Sequence, residues 1–189
     1  MAKTLSTMLA LGTLAPDFSL PDLVSGRTIT VASYKGEKAL LVMFISRHCP
    51  FVKHVASELA RLGADYRGRG VGIVAISAND VVTHPDDAPE LLAAMAKELG
   101  FTFPICFDES QNVAKSYQAA CTPDFFLFDE ERALVYRGQL DDSRPESGVP
   151  VTGRDLRAAI DAVLSGRPVD GDQRPSIGCN IKWKAGHQP

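Results

Sequence analysis

The sequence has no Cys-x-x-Cys pair, no internal repeat, no block of like charge and no apolar run near the roughly 20 residues that cross a bilayer. Each absence excludes a class. Lys and Arg number 20 against 23 Asp and Glu, a net charge of −3, so there is no basic footprint for nucleic acid and no charged tail. No membrane partner is expected. Met8 to Leu14 imitates a signal-peptide core, but it is short, interrupted by Gly12, and runs into Ala15-Pro-Asp-Phe18 without a cleavage site. The expected location is therefore cytoplasmic. In a reducing compartment the four cysteines are not a structural framework, and each is judged as a thiol, a metal ligand or a core residue. His48, Cys49 and Cys121 are a conceivable metal set, but no ligand pair has a recognised zinc spacing, so neither metal nor cofactor is expected.

What is present fits one domain. A chain of 189 residues, 45% hydrophobic, buries a core without help from disulfides. Its organising stretch starts with seven consecutive apolar residues, Ala39 to Ile45, the pattern of a strand buried on both faces. After Cys49 the period changes. Val52, Val55, Leu59, Leu62 and Tyr66 form one stripe of an amphipathic helix, and Pro50 suits its first position because proline has no N–H to lose. Cys49 thus falls at a strand-to-helix junction. The free N–H groups and positive end of a helix stabilise a thiolate there, and such cysteines titrate from roughly 3.5 to 7.5. Arg47, His48, Lys53 and His54 add nearby cationic character. Cys49 is read as a reactive thiol, in preference to a buried small hydrophobe.

Around this centre the chain alternates. Phe18–Leu20 and Arg27–Val31 form a hairpin; the first helix ends near Arg67, and Val71–Ile76 is a second apolar strand. Asp86 or Asp87 caps a helix ending at Gly100; Pro104–Phe107 is a short strand, and Ser110 caps a brief helix to about Tyr117. Phe125–Phe128 and Ala133–Arg137 form a hairpin. Thr152 caps a last helix carrying Leu156, Ile160, Val163 and Leu164. Residues 168–189 have no clear period and read as a C-terminal tail of a single domain spanning 1–189. Strand, helix, strand, helix, strand, hairpin, helix is a three-layer α/β/α sandwich with a mixed sheet, and a cysteine starting the first long helix makes it thioredoxin-like.

Several motifs carry a more specific resemblance. Ala15-Pro-Asp-Phe-Ser-Leu-Pro21, Ser46-Arg-His-Cys49-Pro50, Thr122-Pro123 and Gly178-Cys179-Asn-Ile-Lys-Trp183-Lys184-Ala-Gly186 occur in an order that resembles the peroxiredoxin-like branch of the alkyl hydroperoxide reductase/thiol-specific antioxidant family. The resemblance implies a thiol-dependent antioxidant oxidoreductase in which Cys49 attacks a peroxide and a resolving cysteine, Cys179 or Cys121, closes a disulfide. A thioredoxin-type protein would be the reductant. Such folds often form homodimers, though no stripe marks an interface here. Ser46 would hydrogen-bond the thiolate or the peroxide, and Thr122-Pro123, a cis pair in that fold, would face Cys49. His48 would serve as a proton donor or acceptor. Two departures weaken the peroxidase reading. Val42 stands where that family has proline, and Cys121-Thr-Pro-Asp124 stands where its arginine is expected, leaving Arg47 to polarise a peroxide. Val52 also occupies the second position of a Cys-x-x-Cys pair. Thiol–disulfide exchange on protein disulfides is the alternative, and a non-catalytic redox sensor or binding protein a third. Cys106, inside Phe103–Phe107, reads as core.

Overall fold

The computed structural model describes residues 3–189. In chain order its elements are β1 (Lys3–Leu5), β2 (Ser19–Pro21), β3 (Thr28–Thr30), β4 (Ala39–Phe44), α1 (Pro50–Tyr66), β5 (Val71–Ser77), α2 (Pro89–Leu99), β6 (Ile105–Phe107), α3 (Asn112–Ser116), β7 (Cys121–Thr122), β8 (Asp124–Phe128), β9 (Leu134–Gly138), α4 (Arg154–Leu164) and β10 (Ile177–Asn180). The central sheet has the order β6-β5-β4-β8-β9. β4, β5 and β6 run parallel, while β8 and β9 are antiparallel additions, so the sheet is mixed as expected. The fold is thioredoxin-like.

The unbroken apolar run of β4 follows from its central position. Ala39, Leu41, Met43 and Ile45 enter one core cluster with Val52, Val55, Leu59, Leu62 and Tyr66 of α1, and with Leu156 and Ile160 of α4. Leu40, Val42 and Phe44 alternate onto the other face, with Phe126, Phe128 and Tyr117. A strand covered on both faces has no position at which a polar side chain is tolerated. At the far side of β5, Gly72 is required by contact: a Cβ there would lie 2.2 Å from Cδ1 of the Tyr34 ring, whose hydroxyl donates to the Ile73 carbonyl at 3.0 Å.

Helix ends differ from expectation in instructive ways. Gly100 closes α2 in the left-handed conformation, φ +68°. Its start is capped by neither acidic residue: Ala88 holds the N-cap position, because Pro85-Asp-Asp87 forms a separate 3-10 turn and Asp87 turns inward. Gln111 and Gly153, both at positive φ, occupy the N-cap positions assigned to Ser110 and Thr152. The displaced side chains still accept the N–H two residues on, Asn112 at 3.2 Å and Arg154 at 3.3 Å.

The larger correction concerns the C-terminal segment. It is not merely a tail, because β10 lies between β1 and β7 in a second, three-stranded sheet. A four-residue strand has too few positions to show a period.

Candidate functional site

β4 and β5 are adjacent and parallel, so the segments leaving their C-terminal ends emerge at one edge of the sheet, where open α/β sheets place their sites. The first segment is Ser46-Arg-His-Cys49. Cys49 is extended (φ −67°, ψ 121°) and holds the N-cap of α1, Pro50 follows it, and its carbonyl accepts the helix's first bond from Lys53 N–H at 3.0 Å. The expected junction is therefore present.

Among the described residues the Cys49 sulfur has two hydrogen-bond partners. The Thr122 carbonyl oxygen lies 3.1 Å away and accepts its S–H; Thr122-Pro123 is the expected cis pair. Cys179 Sγ, from β10, lies 3.0 Å away, about 1 Å beyond the roughly 2.05 Å of a bonded pair. The two cysteines are 130 residues apart in sequence. Pairing of Cys179 with Thr122, and of Asn180 with Cys121, sets that register. Both sulfur-bearing residues are buried, Cys49 at 0% and Cys179 at 2% exposure. Burial, followed by the hydrogen bond and charge of Cys49, pushes the Cys179 thiol up to about 12.

Cys121 is buried at the same place, but its sulfur lies 3.6 Å from the Pro123 carbonyl, and burial followed by nearby Asp124 pushes its thiol up. It walls the site. Cys106 is core, and burial raises its thiol to about 12.

Three supporting residues sit differently from expectation, for one reason. Asp87, fully buried, takes up the polar groups of the loop before Cys49. Its Oδ1 accepts from the N–H groups of Arg47 at 2.6 Å and His48 at 3.2 Å; its Oδ2 accepts from Ser46 Oγ at 2.9 Å, His48 Nδ1 at 2.7 Å and Asn79 Nδ2 at 2.7 Å. Ser46 therefore directs its hydroxyl at Asp87 and not at the thiol. Arg47 points outward, its guanidinium 3.8 Å from the exposed Asp86 carboxylate, and so leaves the role of peroxide-polarising cation without structural support. His48 is not a free surface histidine, because its ring is held on the buried Asp87 carboxylate. With Nδ1 held on a carboxylate, its other ring nitrogen, Nε2, is buried and has no hydrogen-bond partner among the described residues. The His84 ring stacks on it at 5.0 Å. His54, the other histidine of the stretch, bonds Ser143 Oγ at 2.7 Å.

From sequence Asp87 reads only as a helix cap, and Asn79 carries no assigned role. The available signal was topological: residues following two neighbouring parallel strands must meet, and Asn79-Asp80 comes just after the second, beyond Ala78. Asn79 also links the loop to the C-terminal segment, since its Oδ1 accepts Lys182 N–H at 2.8 Å. The Gln111 amide grips the same segment, donating to Lys182 O at 2.9 Å and accepting from Lys184 N–H at 2.8 Å. Trp183 packs against the core as a partly buried anchor. Among the described residues no group of three or more His, Cys, Asp or Glu side chains is arranged to hold a metal ion.

A thioredoxin-like fold with a cysteine at the start of the first helix, a cis-proline facing it and a second thiol in contact defines an oxidoreductase that works through thiols. Residues 11–137 match the AhpC/TSA family, and the chain belongs to that family. Over 128 residues, 67% of this chain and 68% of the relative, it is 30% identical to the thiol-disulfide oxidoreductase ResA of Geobacillus thermodenitrificans. Two crystal structures resemble it over nearly its whole length. An uncharacterized conserved protein of Geobacillus kaustophilus is 53% identical with a TM-score of 0.95, covering 97% of both chains. A hypothetical protein of Sinorhizobium meliloti 1021 is 54% identical with a TM-score of 0.95, covering 97% of this chain and 100% of its own. The thioredoxin domain of a thiol-disulfide oxidoreductase from Bacteroides vulgatus, 22% identical with a TM-score of 0.58 over 72% of this chain and 90% of its own, shares the fold. The expected enzyme class, an oxidoreductase, stands. Of the activities weighed from sequence, thiol–disulfide exchange is the one the named relatives carry.

Proposed function

We propose that the protein catalyses thiol–disulfide exchange on protein disulfides, with Cys49 as nucleophile and Cys179 as resolving thiol. The 3.0 Å separation of two sulfurs that the sequence keeps 130 residues apart carries this reading. In the first step the Cys49 thiolate attacks one sulfur of a substrate disulfide R–S–S–R′, forming Cys49–S–S–R and releasing R′S⁻. In the second, Cys179 attacks the Cys49 sulfur and its proton passes to the departing RS⁻. The substrate is reduced by two electrons and the Cys49–Cys179 pair oxidised to a disulfide. A thioredoxin-type dithiol protein returns the pair to thiols. The high Cys179 pKa suits a resolver, which holds its proton until the mixed disulfide forms beside it.

Peroxide reduction has less support. The hydroxyl and the guanidinium that the sequence offered for it, Ser46 and Arg47, are directed to Asp87 and Asp86.

Insulin reduction driven by dithiothreitol tests the proposal. The wild-type protein is expected to accelerate precipitation of the insulin B chain, Cys49→Ser to abolish the acceleration, and Cys179→Ser to accumulate a mixed disulfide at Cys49. A wild-type rate no higher than that of Cys49→Ser refutes it.

A further inference from the structure

Away from the sulfurs, one cavity collects cations that no carboxylate or carbonyl of the protein engages. It opens between the β2–β3 hairpin, the C-terminal ends of α1 and α2 and the segment entering β6. Cys49 precedes the first residue of α1 and Arg67 follows the last, so the helix sets cavity and sulfurs about 25 Å apart. Arg27, Arg67 and Lys97 line the cavity from three different elements, and none of these side chains has a hydrogen bond or ion pair among the described residues. By contrast Arg61, Arg154, Arg157 and Arg174 hold carboxylates, and Arg132, Arg137 and Arg144 hold backbone carbonyls. The helix dipole accounts for a cation at the end of α1 or α2, but Arg27 lies in the β2–β3 connection, at no helix end. Nor is positive charge general, since the chain carries a net charge of −3. The acid on the wall, Asp22, is already occupied: it accepts from Ser25 Oγ at 2.6 Å, Ser25 N–H at 3.0 Å, Ile105 N–H at 3.2 Å and Val24 N–H at 3.3 Å.

Beside the cations lie aromatic rings. Phe103, 8% exposed, is seated against α1, where a Cβ on Gly63 would lie 2.6 Å from its ring. Phe101 stacks on Phe103 at 4.6 Å with 27° between the planes, and being only partly buried it offers the accessible ring of the pair. The volume, about 590 Å³, falls within the roughly 300–1,000 Å³ of small-ligand sites. A ligand that uses both features carries a planar ring for Phe101 and several negative charges for two guanidiniums and an ammonium. We propose that this cavity binds a nucleoside diphosphate, with the base stacked on Phe101 and the phosphates held by Arg27, Arg67 and Lys97. The site is separate from the thiols and stands independently of the exchange reading.

Calorimetric titration of the full-length protein with ADP tests this. ADP should bind saturably at one site, and absence of saturable binding up to millimolar ADP overturns the proposal. Adenosine, which has the ring without the charge, and pyrophosphate, which has the charge without the ring, should each bind at least tenfold more weakly. Adenosine binding as tightly as ADP overturns the role of the cations, and pyrophosphate binding as tightly overturns the nucleotide as the ligand class. Arg27 is exposed and its side chain bonds nothing among the described residues, so Arg27→Glu should keep the wild-type far-UV circular dichroism and rate of insulin reduction while binding ADP at least tenfold more weakly. Unchanged ADP affinity in that variant overturns the proposal. Phe101→Ala should weaken ADP and leave pyrophosphate unchanged; equal loss for both overturns the stacking. Should Phe101→Ala not fold, the comparison of ADP with pyrophosphate on the wild type decides that point.

Discussion

Asp124 makes stability depend on pH with a sign opposite to the usual carboxylate, and the size follows from its burial. It is fully buried at the start of β8, directly after Pro123. Loss of solvation raises its carboxyl from 3.8 to about 7, and the backbone N–H groups of Ala120, Phe125 and Cys121 offset only part of that rise. Between pH 3.8 and about 7 the native protein therefore holds a proton that the unfolded chain has released. Stability falls as pH rises through this window, by about 1.4 kcal/mol per unit, and levels off above it once both states are ionised. From pH 5 to pH 7 the loss is about 2 kcal/mol. Asp124→Asn cannot titrate and keeps an oxygen facing Ala120 N–H, the present acceptor contact at 3.3 Å. Urea denaturation of both proteins, followed by Trp183 fluorescence at half-unit intervals, isolates this group, because every other titration cancels in the difference. The variant should gain about 3 kcal/mol on the wild type between pH 5 and pH 8. A difference that stays flat, or one that moves against the variant as pH rises, would refute the assignment of the raised pKa to Asp124.

Further outcomes follow from neighbouring groups. Asp87→Asn replaces a fully buried carboxylate that collects the Ser46 hydroxyl, the Asn79 amide, two backbone N–H groups and His48; it should cost about 3–5 kcal/mol by urea denaturation and slow insulin reduction. Cys121→Ser should leave the Cys49–Cys179 disulfide unchanged in tryptic maps of the oxidised protein, whereas a resolving role would abolish a Cys49–Cys121 species. Gly72→Ala drives a methyl group to 2.2 Å from the Tyr34 ring and should cost about 1–3 kcal/mol, read as a lowered urea midpoint with unchanged slope.

Legibility in the sequence followed the length over which a physical constraint acts. β4 and α1 were readable because burial repeats over many residues: both faces of a central strand must be apolar, and one face of a seventeen-residue helix must be. The position of Cys49 came with them, since a change of period marks a junction to within a residue or two. Cys179 and the Thr122-Pro123 pair were reached through resemblance, and the structure brings both against Cys49. β10 was missed because four residues carry no period and their partners, in β1 and β7, are shorter still. Asp87 was misplaced because an acid near a helix start satisfies the capping pattern equally well whether it faces the helix or the interior. Here Pro85 and Pro89 bracket a separate turn, and the N–H groups of the Arg47–His48 loop lie opposite it.

That misplaced residue explains why the site departs from the expectation attached to Ser46, Arg47 and His48. A loop that must present Cys49 at the end of a buried strand leaves several N–H groups without strand partners, and burying them unpaired is costly. One carboxylate with two acceptor oxygens serves several donors at once. Asp87 does so, taking the Ser46 hydroxyl and the His48 Nδ1 along with the backbone. Side chains that could have addressed a small oxidant thereby become framework, and among the described residues the Cys49 sulfur hydrogen-bonds a carbonyl and a second thiol. Asn79 extends the framework to Lys182, three residues beyond Cys179, so one polar network sets the position of both sulfurs. A scaffold organised around the meeting of two thiols, with Ser46, Arg47 and His48 directed to Asp86 and Asp87, suits exchange between sulfurs better than attack on a peroxide.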